Sequence, residues 1–136
     1  MTHDEVKEVE PYLALKTAMM PRDTNKHGTI FGGVLLSYID LAAGIGAHHY
    51  LRAQGWPEKP IVTVAMDRIV FKEAVLVGDT VSFWTTVERV GTSSITLQIS
   101  VETERQGKTI QVTQASATFV AIADSGKGRS AVPLRE

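Results

Sequence analysis

Residues 28–51, GTIFGGVLLSYIDLAAGIGAHHYL, are the stretch that most limits how this chain can fold. Between Lys26 and Arg52 the one formally charged side chain is Asp40, near the middle. On a wheel of 100° per residue, apolar side chains occur on every side, the pattern of a buried helix. Gly33, Leu36, Ser37, Ala43, Gly44 and Ala47 fall within about 60° of Asp40, whereas Leu35, Tyr38 and Ile45 point away. Most of that first set is small, so the expectation is a buried helix offering one carboxylate in a shallow groove. A run of this length could cross a bilayer. Its five glycines and central Asp argue against that, because a carboxylate is costly in lipid. A buried carboxylate is either paired for structure or used for chemistry, and the helix alone leaves both readings open.

The totals narrow the classes. A chain of 136 residues is one domain with room for a proper core. Its net charge of −1 gives no basis for a nucleic-acid or membrane-surface partner. Without cysteine there is no disulfide framework, thiolate metal site or Cys nucleophile. The first ten residues, MTHDEVKEVE, lack the apolar core of a secretory leader, so a cytoplasmic location is expected.

Along the chain, residues 1–10 read as a flexible N-terminal tail, residues 11–123 as a single domain and residues 124–136 as a C-terminal tail. Residues 12–20 form a first strand ended by Pro21, and PRDTNKHGT is a polar, turn-rich loop. The helix runs from about Gly33 to Gln54, stopped by Gly55 and Pro57. After Pro60 the chain turns to strand character over residues 61–71, 79–90, 94–104 and 109–123. The third of these alternates Ile95, Leu97, Ile99 and Val101 with polar residues. The order predicts an α+β fold, a long central helix wrapped by a curved antiparallel sheet of about five strands. One sheet covers part of such a helix, so at least a dimer is expected.

Several common sites are missing: no GxSxG elbow, P-loop, GxGxxG or HExxH occurs. His48 and His49 are about 100° apart on a helix and cannot jointly face one metal, so no metal site is expected. Ser37 has no nearby His base in sequence and is expected to bond a backbone carbonyl. There remains a polar loop with Asn25, then Phe31-Gly32-Gly33 opening the helix, then Asp40 two turns on. Free amides at a helix N-terminus suit an anion or a polarised carbonyl oxygen, and glycine admits a close approach. Gly33 and Asp40 are about 10 Å apart along the axis, too far to meet at one carbonyl carbon. A symmetry-related helix could bring a second Asp40 to these amides. A tight Gly-Gly turn with no further role is the plainer alternative.

At these residues the chain resembles the hotdog-fold acyl-CoA thioesterases, in particular the bacterial short-chain acyl-CoA hydrolases related to brain acyl-CoA hydrolase. The resemblance rests on Pro21, Asp23-Thr24-Asn25, Gly28, Ile30-Phe31-Gly32-Gly33 and Asp40. It continues through Thr63-Val64-Ala65, Phe71-Lys72, Val77-Gly78-Asp79, the turn around Gly91 and Gly128-Arg129-Ser130. It implies hydrolysis of acyl-CoA to a carboxylic acid and CoA, with Asp40 as general base or nucleophile. Asn25, from the partner subunit, would position water or substrate, and the amides of Gly32 and Gly33 would form an oxyanion hole. Phe71, Lys72, Gly91, Thr92, Ser93, Ser94 and Arg129 are the candidate CoA contacts, with Arg68 and Arg89 behind them. No separate cofactor is implied, since CoA is part of substrate and product. The implied assembly is a homodimer with shared sites, extended to a trimer of dimers. One departure is Val70 and Ala74, where the family often has Asn and Pro. A hotdog dehydratase or hydratase would need a His paired with a carboxylate, and a non-catalytic acyl-CoA-binding module is the other alternative.

Overall fold

The computed structural model describes residues 10–136; the expected tail at residues 1–10 falls almost wholly outside them. Strand β1 (Tyr12–Ala18) leads through a short 3-10 turn to helix α1 (Gly32–Gln54). Five strands follow: β2 (Ile61–Phe71), β3 (Thr80–Val90), β4 (Ser94–Arg105), β5 (Lys108–Ser125) and β6 (Gly128–Ala131). They form one antiparallel sheet in the order β1-β3-β4-β5-β2, with β6 on the end of β5. The α+β expectation holds, with six strands rather than about five.

The extra strand comes from residues 124–136, which read as a tail. Ser125 and Gly128 close a short hairpin, and Leu134 is buried in the core with its amide donating to the Thr92 carbonyl. A Gly/Ser-rich composition hid this because the side chains of β6 are exposed and its pairing with β5 rests mainly on backbone bonds.

Alternation builds the core. Val81, Phe83 and Thr85 of β3, Ile95, Leu97, Ile99 and Val101 of β4, and Ala115, Ala117 and Phe119 of β5 are all buried. Onto this surface α1 lays Leu35, Ile39, Ala42, Ala43, Gly46, Ala47 and Leu51. Small residues on both sides bring the helix close: a Cβ on Gly46 would stand 2.2 Å from Thr85 Oγ1. Gly55, at φ +75°, caps the helix in the left-handed region, as its position in the sequence predicts. The tight turn at Gln106-Gly107 (φ 53° and 76°) likewise joins β4 to β5 in the hairpin-favoured hand.

The helix is not covered all round. Leu41 is 53% exposed, and so, to a similar extent, are Phe31, Val64 and Phe71. Val64 and Phe71 belong to β2, an edge strand with no neighbour on its outer side among the described residues. Midway along β2, the register slips between Asp67 and Val70, and Arg68 takes a positive φ of 51°. This is a β-bulge, and it turns Arg68 onto the sheet face, where Nη2 reaches Glu88 at 3.0 Å. Among the described residues no helix is long and apolar enough to cross a membrane.

Candidate active site

Asp40 is half-buried rather than fully buried in the protomer. Its Oδ1 accepts a 2.6 Å hydrogen bond from Thr63 Oγ1, near the start of β2. Both line an open cleft of about 390 Å³ with Gly44, Ile45, His48 and Phe119. The groove therefore differs from the one expected on the wheel. Ala43 and Ala47 are fully buried against the sheet, and Ile45, expected to point away, faces the cleft. The sheet occupies one flank of Asp40, so the open side begins at Asp40 and extends about 100° round toward Leu41 and His48.

The amide end of α1 opens onto a second cleft, of about 360 Å³, lined by Gly32, Phe71, Lys72, Ala74 and Val75. Phe31 is the N-cap residue and, among the described residues, no side chain caps this end, which leaves the first amides available. A Cβ on Gly33 would stand 2.7 Å from the Phe31 ring, and one on Gly32 would touch Phe71 at 3.4 Å. The Phe31 ring thus requires glycine at residue 33, and the Phe71 ring lies against Gly32. Asn25 organises its own loop: Oδ1 accepts the amides of His27 and Thr29 at 2.8 and 3.3 Å, and Nδ2 donates to Thr29 Oγ1 at 2.9 Å. Ser37 Oγ donates to the Gly33 carbonyl at 3.0 Å, which answers its expected role in the helix.

One protomer thus presents the carboxylate and the amide end in two separate clefts. Asp40 lies seven residues, about 10 Å, beyond Gly33 on the same helix, and the two open into different clefts. The candidate CoA contacts divide the same way. Phe71 pairs with Thr113 on β5, whereas Ser94 pairs with Val120. Those β5 partners are seven residues apart, about 23 Å. Phe71 and Lys72 therefore accompany the amide end, and the Gly91–Ser94 turn accompanies Asp40. Lys72 Nζ donates to Gln111, and Arg129 Nε sits 3.6 Å from Asp124 Oδ1. The turn is held by the bond from Gly91 N to Ser94 O (2.8 Å), and Ala121 N donates to Ser93 O (2.9 Å). Arg68 is engaged with Glu88 on the sheet face and joins neither cleft.

Thr63, quoted in the sequence only as part of the resemblance and without a role, is the residue that bonds Asp40. Its signal was present, since a hydroxyl at the start of the first strand after the helix can face a carboxylate on that helix. The histidines separate: His49 stacks on Tyr12 with ring centroids 3.7 Å apart, while His48 lines the Asp40 cleft.

Residues 27–110, which contain α1 with Asp40 and both glycines, match the model of the thioesterase superfamily. Acyl-CoA thioester hydrolase YciA of Escherichia coli K12 is 33% identical over 123 residues, 87% of this chain and 89% of the relative. A hexameric thioesterase from Yersinia pestis is 35% identical, with a TM-score of 0.74 over 92% of this chain and 98% of its own. A hexameric hotdog fold thioesterase of Campylobacter jejuni is 38% identical, with a TM-score of 0.72 over 90% and 89%.

Proposed function

Because this chain belongs to the thioesterase superfamily, we propose that it is an acyl-CoA thioesterase, cleaving acyl-CoA with water to a carboxylic acid and free CoA. The observation that carries the reading is the pair of features on α1: a carboxylate held by Thr63 and an amide end without a side-chain cap that begins on two glycines. In this reading the thioester oxygen sits on the amides of Gly32 and Gly33. Donors fixed in place before charge develops are commonly worth about 3 kcal/mol of barrier. Asp40 Oδ1 is occupied by Thr63, so Oδ2 is the working oxygen. It either takes a proton from water as the water adds to the carbonyl, or itself adds to form an anhydride that water then opens. In both routes the carbon–sulfur bond breaks on collapse of the oxyanion, and CoA leaves as a thiolate that is protonated by solvent.

A second copy joins the two halves. If the free edge of β2 pairs antiparallel with that of its copy, the start of one β2 lies beside the end of the other. Thr63 and Asp40 of one subunit then approach Phe71 and the Gly32 amides of the next. The exposed Val64, Phe71 and Leu41 are covered in the same step. Each site would then take Asp40, the Gly91–Ser94 turn and Arg129 from one subunit. It would take Asn25, Gly32, Gly33, Phe71 and Lys72 from the other. The hexameric relatives support a further step to a trimer of dimers, and we place the enzyme in the cytoplasm.

His48 shares the Asp40 cleft, as a dehydratase would require, but it lies eight residues on, about 12 Å along the axis. That is too far to serve adjacent carbons with Asp40. The test is thiol release from a panel of acyl-CoAs, wild type beside Asp40→Asn. A loss of about 10³-fold or more in the variant is expected. Tight CoA binding with no turnover in wild type would replace the hydrolase with a binding module.

A further inference from the structure

Building on the thioesterase reading, we propose that Arg105 is a positioning residue: it fixes the amide end of α1 and the Asn25 loop through residues 74–79. Arg105 ends β4 and lines neither cleft. Its Nη2 donates to the Ala74 carbonyl and to Asp79 Oδ2, both at 2.6 Å. The same carboxylate oxygen accepts the Leu76 amide at 2.9 Å. The segment is therefore folded around one carboxylate, whose countercharge comes from a different hairpin.

The opposite side of that segment is the template for the site. Val75 O accepts the Ile30 amide at 2.8 Å, and Thr29 bridges to Leu76. Asp79 and Gly78 exchange backbone bonds with Met19, just before the loop. From Thr29 the chain is tied back to Asn25, whose amide donates to the Thr29 carbonyl at 2.8 Å. From Ile30 it runs through Phe31 straight into Gly32 and Gly33. Two residues thus carry Asn25 on one side and the oxyanion amides on the other, and both lean on residues 75–76.

The cost of the arrangement points to geometry rather than stability. Arg105 Nε is buried without an acceptor, and the Arg105 and Asp79 side chains are 26% and 14% exposed. An apolar pair of similar volume would avoid that penalty and often matches or exceeds a buried ion pair in stability. What an apolar pair cannot do is grip the Ala74 carbonyl and the Leu76 amide in one fixed relation. A misplacement of about 1 Å in a reacting group can cost about 10²-fold in rate.

The experiment compares wild type with Arg105→Met, Arg105→Lys and Asp79→Asn in the full chain. It reads kcat and KM for acyl-CoA, and hydrogen exchange at residues 30–35. In Arg105→Met, kcat should fall about 30–100-fold with KM within about threefold, and exchange at residues 30–35 should quicken at least about tenfold. Arg105→Lys, which restores the charge and one donor, should recover part of both. If Arg105→Met does not fold, Asp79→Asn carries the same expectations. Unchanged kcat and exchange in a folded variant would overturn the proposal, as would equal loss in kcat and KM with no recovery in Arg105→Lys. Should wild type release no thiol, the thioesterase reading falls, and the exchange measurement still decides the positioning role.

Discussion

Thr63 Oγ1 donates to Asp40 Oδ1 at 2.6 Å, joining the edge strand to the central helix at the one charged residue of its long uncharged stretch. The bond holds one carboxylate oxygen and leaves the other free. Thr63→Val keeps the shape and removes the donor, freeing Asp40 to rotate. A hydrogen bond to a charged group is worth about 1.5–3 kcal/mol, so kcat should fall about tenfold or more while Thr63→Ser stays near wild type. Steady-state thiol release checks it; equal kcat in Thr63→Val would leave the hydroxyl without a catalytic role.

The proposed sharing of sites predicts complementation between defective subunits. Asp40→Asn and Asn25→Ala chains are each expected to form dimers of low activity. Co-expressed, they should form mixed dimers in which one of two sites draws intact Asp40 and intact Asn25 from different chains. Random pairing would restore about a quarter of wild-type activity. No recovery in verified mixed dimers would place Asn25 and Asp40 of one site in the same chain.

The CoA assignments separate from the chemistry. Lys72→Ala and Arg129→Ala should raise KM for acyl-CoA several-fold, with kcat little changed, because each would meet a phosphate away from the reacting carbon. The effect should shrink as salt is raised. A KM unchanged in both variants removes these residues from the site.

Acid should unpick the Arg105–Asp79 clamp. Burial pushes the Asp79 carboxyl upward, but the Arg105 hydrogen bond, the Leu76 amide and the Arg105 charge together outweigh it and hold it below its ordinary range. A depressed carboxyl stabilises the fold above its unfolded value of about 3.9, and that contribution disappears as pH falls through the folded value. Urea midpoints of wild type and Asp79→Asn should therefore differ by a constant amount from about pH 5 to 8 and converge below about pH 4. A gap that does not narrow at all as the pH is lowered from about 4 would show that the carboxylate does not act through its charge.

Much of this was legible in the residues. The turn-rich loop before the uncharged run placed the start of α1 to within a residue, and alternation in residues 95–101 gave the inner face of β4. Asp40 stood out because nothing else in its stretch is charged. What could not be read was which flank of Asp40 the sheet would cover. That depends on how closely Gly46 lets the helix approach Thr85, a distance set by two elements far apart in sequence. Thr63, Arg105 and β6 were obscure for a related reason. Thr63 and Arg105 matter through partners 23 or more residues away and β6 mainly through backbone pairing, neither of which local pattern records.

The bulge at Arg68 has a bearing on solubility. An edge strand with Val64, Val70 and Phe71 exposed is the kind of surface on which chains stack into fibrils. The left-handed kink at Arg68 interrupts the ladder in mid-strand, so no long flat run of unpaired amides is on offer. An arbitrary strand meets a broken template, whereas a copy of this chain, turned end for end, brings the same kink to meet it. A residue that lines neither cleft thereby lets the edge await its own kind without recruiting strangers.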